Sequence, residues 1–101
     1  MKSYKLKDAG EDAFLMDPLA KWIGFGVVDA GRPITVRVED IALQRLDPTI
    51  GGGANHMSAL ETHRSKIFKI AAEKYELGLV ESGDTGNIIW VTDADVAQQG
   101  P

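Results

Sequence analysis

At 101 residues, with 44 % hydrophobic and 26 % charged side chains and a formal net charge of −4, the chain has the composition of one globular domain. The absence of cysteine excludes disulfides, thiol nucleophiles, iron–sulfur clusters and thiolate zinc sites. The acidic balance weighs against a general nucleic-acid binder, and no stretch approaches the roughly 20 apolar residues of a membrane-spanning helix.

The opening MKSYKLKDAGEDAF lacks the apolar core of a secretory signal, so a cytoplasmic protein is expected. Residues 1–11 are polar and include Gly10, which predicts a flexible N-terminal segment. A single domain is expected over residues 12–97, with residues 98–101 as a polar tail. Within it, the apolar Phe14–Met16 is cut short by the turn-favouring Asp17-Pro18. Trp22 to Val28 reads as a strand with Ile23, Phe25 and Val27 on one face. On its other face Gly24 and Gly26 leave space between Trp22 and Val28. Asp29-Ala30-Gly31 is turn chemistry, and Ile34 to Val38 alternates apolar and polar, so the two runs form a predicted hairpin. Pro33 stands at the strand entry, where a missing amide donor costs least.

Glu39 to Leu46 predicts a short helix with an acidic start, ended near Asp47 by Pro48. The glycine-rich Thr49–Asn55 is read as a connector. His56 to Glu76 then gives about six turns without Gly or Pro, with Met57, Leu60, Ile67, Phe68, Ala71 and Tyr75 at helical spacing. Asn55 and Ser58 are the candidate N-caps, and Ser58 to Glu61 matches a capping box. Gly78 lies just past the helix end. Leu79-Val80-Glu81 and Asn87 to Val91 flank Ser82–Gly86 as a second hairpin, and Thr92 to Asp95 opens a last helical turn. Strands segregated from helices in this way predict an α+β fold: an antiparallel sheet of two hairpins, with a short and a long helix packed on one face.

Arg64 is the most informative single residue, because helical geometry projects it into the apolar stripe, one turn from Leu60 and one from Phe68. A guanidinium there needs a carboxylate, carbonyls or an open cleft. Glu39, Asp40, Asp93 and Asp95 are its candidate partners in a structural ion pair. Otherwise its fork would bind an external carboxylate or phosphate, which is the less favoured reading. His56, His63, Lys66 and Lys74 line one edge of the same helix and form a candidate basic edge for phosphates, set against the plainer reading of a solvated mixed-charge surface. His56 and His63 are two turns apart, too far to share a metal ion, so no metal site is expected. The glycine clusters complete neither a P-loop nor a dinucleotide fingerprint, no serine sits in a nucleophile elbow, and no cofactor is expected.

Several short segments, taken in order, resemble a family of small uncharacterised bacterial proteins, the domain of unknown function 1488 family. They are Ile34 to Val38 followed by Glu39 to Leu43, Leu60 to Ile67 with Ile70-Ala71, and the closing Ile88 to Val96. The resemblance, which includes the strand pair that ends in Ile34 to Val38, covers roughly residues 12 to 97 in order. The glycine connector, and Leu60 in place of an aromatic, depart from the family pattern. The resemblance implies a compact α+β domain with Arg64 as the arginine of the long helix, and it implies no reaction.

A chain this short, without a catalytic constellation but with many large apolar residues, is expected to be a non-enzymatic protein–protein interaction module, with a homodimer as one form of that contact. Trp22 and Val28 are the candidate interface if they face away from the helices. The alternative is an anion or nucleic-acid binding module using the basic edge, with binding that weakens steeply in salt.

Overall fold

In this computed structural model the description covers residues 4–9, 22–48, 56–83 and 86–99, with the side chains of residues 56, 57 and 99 left out. The apolar segment Phe14–Met16, the glycine connector and the candidate cap Asn55 lie outside the described residues.

Two strands meet first. Strands β2 (Trp22–Asp29) and β3 (Arg32–Glu39) form the predicted hairpin, paired from Asp29↔Arg32 to Trp22↔Glu39. The loop between them is two residues long, and Ala30 (φ 51°) and Gly31 (φ 85°) both take the left-handed conformation of a type I′ turn. That turn sets the register. Ile23, Phe25 and Val27 therefore face Val38, Val36 and Ile34 across the strands, and all six are buried. Pro33 precedes the first pairing on the strand's second side, so its missing N–H breaks no bond there.

Helix α1 (Asp40–Leu46) follows, with Glu39 as N-cap residue, and ends before Pro48. Helix α2 (His56–Glu76) has the predicted bounds, so Ser58 lies inside its first turns instead of capping it. The end of α2 is a Schellman motif: the Leu79 N–H donates to the Lys74 carbonyl at 2.9 Å and the Gly78 N–H to the Tyr75 carbonyl at 3.0 Å. Gly78 supplies the positive φ (78°) that this ending needs. Strands β4 (Glu81–Gly83) and β5 (Gly86–Val91) make the second hairpin, and α3 (Asp93–Gln99) closes the described chain. The tail expected from residue 98 thus begins as helix.

The fold is α+β, with one correction to the sheet. Strand β5 pairs with β3 in parallel, from Ile34↔Asn87 to Val38↔Val91, so the sheet is mixed. The cause is the connection: between β3 and β5 the chain runs through both α1 and α2, long enough for a crossover that returns it in the same direction. Alternating residues cannot reveal this, because they fix faces and not neighbours.

A second correction concerns the N-terminus. Lys7–Asp8 forms strand β1 against Val28 and Val27, giving the order β1-β2-β3-β5-β4, and Leu6 is buried in the core. Tyr4, Lys5 and Asp8 hydrogen-bond to Glu73, Glu76 and Arg64, so this segment runs antiparallel along α2. Residues 4–9 belong to the domain. The core joins one sheet face to Ala42 and Leu43 of α1, to Leu60, Ile67, Ile70 and Ala71 of α2, and to Val96 of α3.

Candidate functional site

Arg64 projects from α2 where the stripe predicts, but its partner is none of the four candidates. Its Nε and Nη2 donate to the two carboxylate oxygens of Asp8 on β1, each at 2.8 Å, and Nη1 donates to Glu61 at 2.9 Å. The guanidinium carbon sits 4.7 Å from the centre of the Phe25 ring, and the side chain is only 13 % exposed. The Asp8 bonds, opposed by burial and aided by the charges of Asp8 and Glu61, hold the guanidinium above the usual arginine value. The fork that could have gripped an external anion is occupied by an internal one.

The four expected carboxylates have other tasks. Asp93 takes both Nε (2.6 Å) and Nη2 (3.1 Å) of Arg45, joining α1 to α3, and those bonds draw its carboxyl below the usual range. Glu39 accepts the Asp93 backbone N–H, and Asp40 accepts from Gln44. Asp95 accepts from Lys74 at 2.8 Å and from the Thr92 N–H at 2.9 Å, while the Thr92 hydroxyl and the Asp95 N–H meet at 3.2 Å. Thr92 and Asp95 thereby form a reciprocal capping box at the start of α3, a Thr-x-x-Asp pattern that sequence reading passed over. Burial works to raise the Asp95 carboxyl, but its bonds to Lys74 and Thr92 outweigh that and hold it low.

The basic edge is not presented as one surface. Lys74 turns inward, its Nζ also donating to the Trp90 carbonyl at 2.6 Å, and His63 Nε2 lies 3.5 Å from Asp47. Lys66 is half-buried, and the His56 side chain lies outside the described residues. Among the described residues no group of three metal-ligating side chains comes together, and no helix is long and apolar enough to cross a membrane.

The second sheet face carries a cluster that the sequence reading had only in part. Strand register puts Trp22, Gly24 and Val28 of β2 on this face, across from Glu39, Arg37 and Pro33 of β3, with Ile88 and Trp90 of β5 beside Thr35 and Arg37. Trp22 and Val28 do face away from the helices. They are not an exposed patch, however: Trp22 is only 9 % exposed and Val28 is half-buried. Trp22 meets Trp90 edge-on, with ring centres 6.3 Å apart and planes at 82°. The Arg37 guanidinium lies 4.3 Å from the Trp22 ring centre and 5.6 Å from that of Trp90. Gly24 opposite Arg37 offers no side chain to compete for this space.

Arg37 differs from the chain's other arginines. Arg32 lies 3.5 Å from Asp29, and Arg45 and Arg64 make two-point bonds to carboxylates. Arg37 has no hydrogen-bond or ion-pair partner among the described residues, and its Nε is buried and unsatisfied. A hairpin register counted from the Ala30-Gly31 turn would have placed Arg37 opposite Gly24 and beside Trp22; the lateral approach of Trp90 depends on the parallel pairing and was out of reach.

Compared with models of known families, with curated proteins and with solved structures, the chain has no match.

Proposed function

We propose that this chain is a non-enzymatic protein–protein interaction module of a bacterial cytoplasm, whose contact face is the sheet surface around Arg37 and Trp90. The observation that carries this reading is the uncompensated Arg37: a buried donor without a partner costs about 1–3 kcal/mol, and here it lies against two indoles. Tryptophan and arginine are the side chains most enriched at the energetic centres of interfaces. Trp90 and Thr35, both half-buried, offer the contact area, with Trp22 behind them as support.

The rival reading, an anion or nucleic-acid module on the basic edge of α2, has less support because Lys74 and His63 already face Asp95 and Asp47. The test is site-specific photo-crosslinking in cells, with the reactive group at Thr35 on the sheet face or at Lys69, exposed on α2. A discrete adduct from Thr35 that Lys69 does not give, and that Arg37→Met removes, is the expected result. Equal labelling from both positions refutes the assignment of the face.

A further inference from the structure

Resting on that contact face, the geometry points to a partner segment of defined chemistry: we infer that Arg37 receives a single carboxylate, presented by an apolar stretch of another protein. The guanidinium lies over the Trp22 ring with Trp90 to one side, the two indoles being close to perpendicular, and its N–H donors lie in its own plane. Nε is buried, and the two terminal nitrogens form the outer end of the fork. An acceptor therefore approaches end-on, across the two terminal nitrogens, and a planar carboxylate spans them with two parallel hydrogen bonds. The other charged side chains placed on this face by the strand register are Lys7, Glu39 and Glu81. Glu39 accepts from the Asp93 N–H, and Arg37 has no bond to Glu39 or Glu81.

A nucleic acid fits these observations less well. Base stacking needs an open aromatic face, and Trp22 is 9 % exposed with its ring already covered by Arg37. The chain's charge of −4 also repels a polyanion along its whole length, while one carboxylate seated at Arg37 feels mainly the nearest charge, because screening sets in over about 8–10 Å. The indole surroundings favour apolar neighbours on either side of that carboxylate.

Intrinsic fluorescence isolates the site, because Trp22 and Trp90 are the chain's two tryptophans and both belong to the cluster. The full chain is titrated with a capped Ala-Leu-Glu-Leu-Ala peptide, its Gln counterpart, inorganic phosphate and oligothymidylate. A saturable emission change with the Glu peptide is expected, about tenfold weaker with the Gln peptide, since a charge-assisted bond is worth roughly twice a neutral one. Arg37→Met abolishes the response and Arg37→Lys keeps part of it; should Arg37→Met fail to fold, Arg37→Gln serves in its place. Equal responses to the Glu and Gln peptides, an unchanged response in the folded Arg37 variant, or tighter binding of phosphate or oligothymidylate would each overturn the inference. So would concentration-dependent dimerisation by sedimentation that Arg37→Met removes, because the carboxylate would then come from a second copy. A silent titration beside a Thr35-specific adduct defeats the carboxylate and leaves the interaction face standing. Silence in both experiments defeats the two together.

Discussion

Replacing Arg64 with Met is the sharpest probe of how the N-terminal strand is held. The substitution removes two 2.8 Å bonds to Asp8 and one of 2.9 Å to Glu61, while a methionine stem still packs on Phe25. Breaking a fully buried ion pair costs about 3–5 kcal/mol, and losing an exposed one costs about 0–1 kcal/mol. This pair lies between those limits: Arg64 is 13 % exposed but Asp8 is 33 % exposed, so Asp8 recovers water when its partner goes. Glu61, half exposed, counts as a surface partner. With the cation–π contact to Phe25 worth about 0.5–1 kcal/mol at such a site, the expected loss is about 2 kcal/mol. Urea unfolding of Arg64→Met, Asp8→Asn and the double variant would give a coupling of about 1–1.5 kcal/mol. Hydrogen exchange adds a local readout, because the Ala9 N–H donates to the Gly26 carbonyl at 3.2 Å beside β1. That amide loses protection in the double variant while the amides of β3 keep theirs. A coupling below about 0.5 kcal/mol, or an Ala9 amide as protected as in the wild type, would refute the clasp.

Three further outcomes follow from single positions. The Asp95 carboxyl is held below its unfolded value, so the unfolded chain binds more protons as pH falls through the unfolded value near 3.9. The stability Asp95 contributes is thus complete above that range and lost towards its folded value, and Asp95→Asn is expected to destabilise the domain at pH 7 and flatten the acid limb of a stability–pH curve. Gly78→Ala meets no atom within 4 Å, so its cost is backbone strain at φ +78°, about 1 kcal/mol or slightly more in chemical unfolding. Ala30→Asn should act in the opposite direction, since Ala30 already holds φ 51° in a type I′ turn that favours Asn-Gly; a gain of about 0.5–1 kcal/mol by thermal melting is expected.

Local chemistry made the helices and the first hairpin legible. Pro48 stops α1, an unbroken apolar period spans α2, and the Ala30-Gly31 turn fixes which residues of β2 and β3 share a face. What depends on distant segments was hidden. Lys7–Asp8 is too short to show a strand period, although Leu6 between Lys5 and Lys7 was the one apolar clue. Asp8 reaches Arg64 only because β1 pairs with β2, a contact between residues 56 apart in sequence that no local pattern marks. The parallel pairing of β3 with β5 is likewise a property of the long connection and leaves no mark in either strand. The position of Arg64 in the stripe was readable; the direction of its fork was not.

The contrast between Arg64 and Arg37 gives the proposed site its final argument. Arg64 satisfies the rule that a shielded charge is paired, and removing it should destabilise the fold. Arg37 departs from that rule, its unsatisfied Nε costing about 1–3 kcal/mol against roughly 0.5–2 kcal/mol returned by the two indoles. Folding alone would therefore be served as well by a methionine there, which fills similar space and leaves no donor unpaired. Arg37→Met is expected to unfold within about 1 kcal/mol of the wild type, on the more stable side, where Arg64→Met loses about 2 kcal/mol. A loss above about 2 kcal/mol at Arg37 would make it the brace of Trp22 and Trp90, and the contact face would lose its anchor. A neutral or favourable change would locate the use of Arg37 outside the folded chain, in an acceptor that meets its terminal N–H groups.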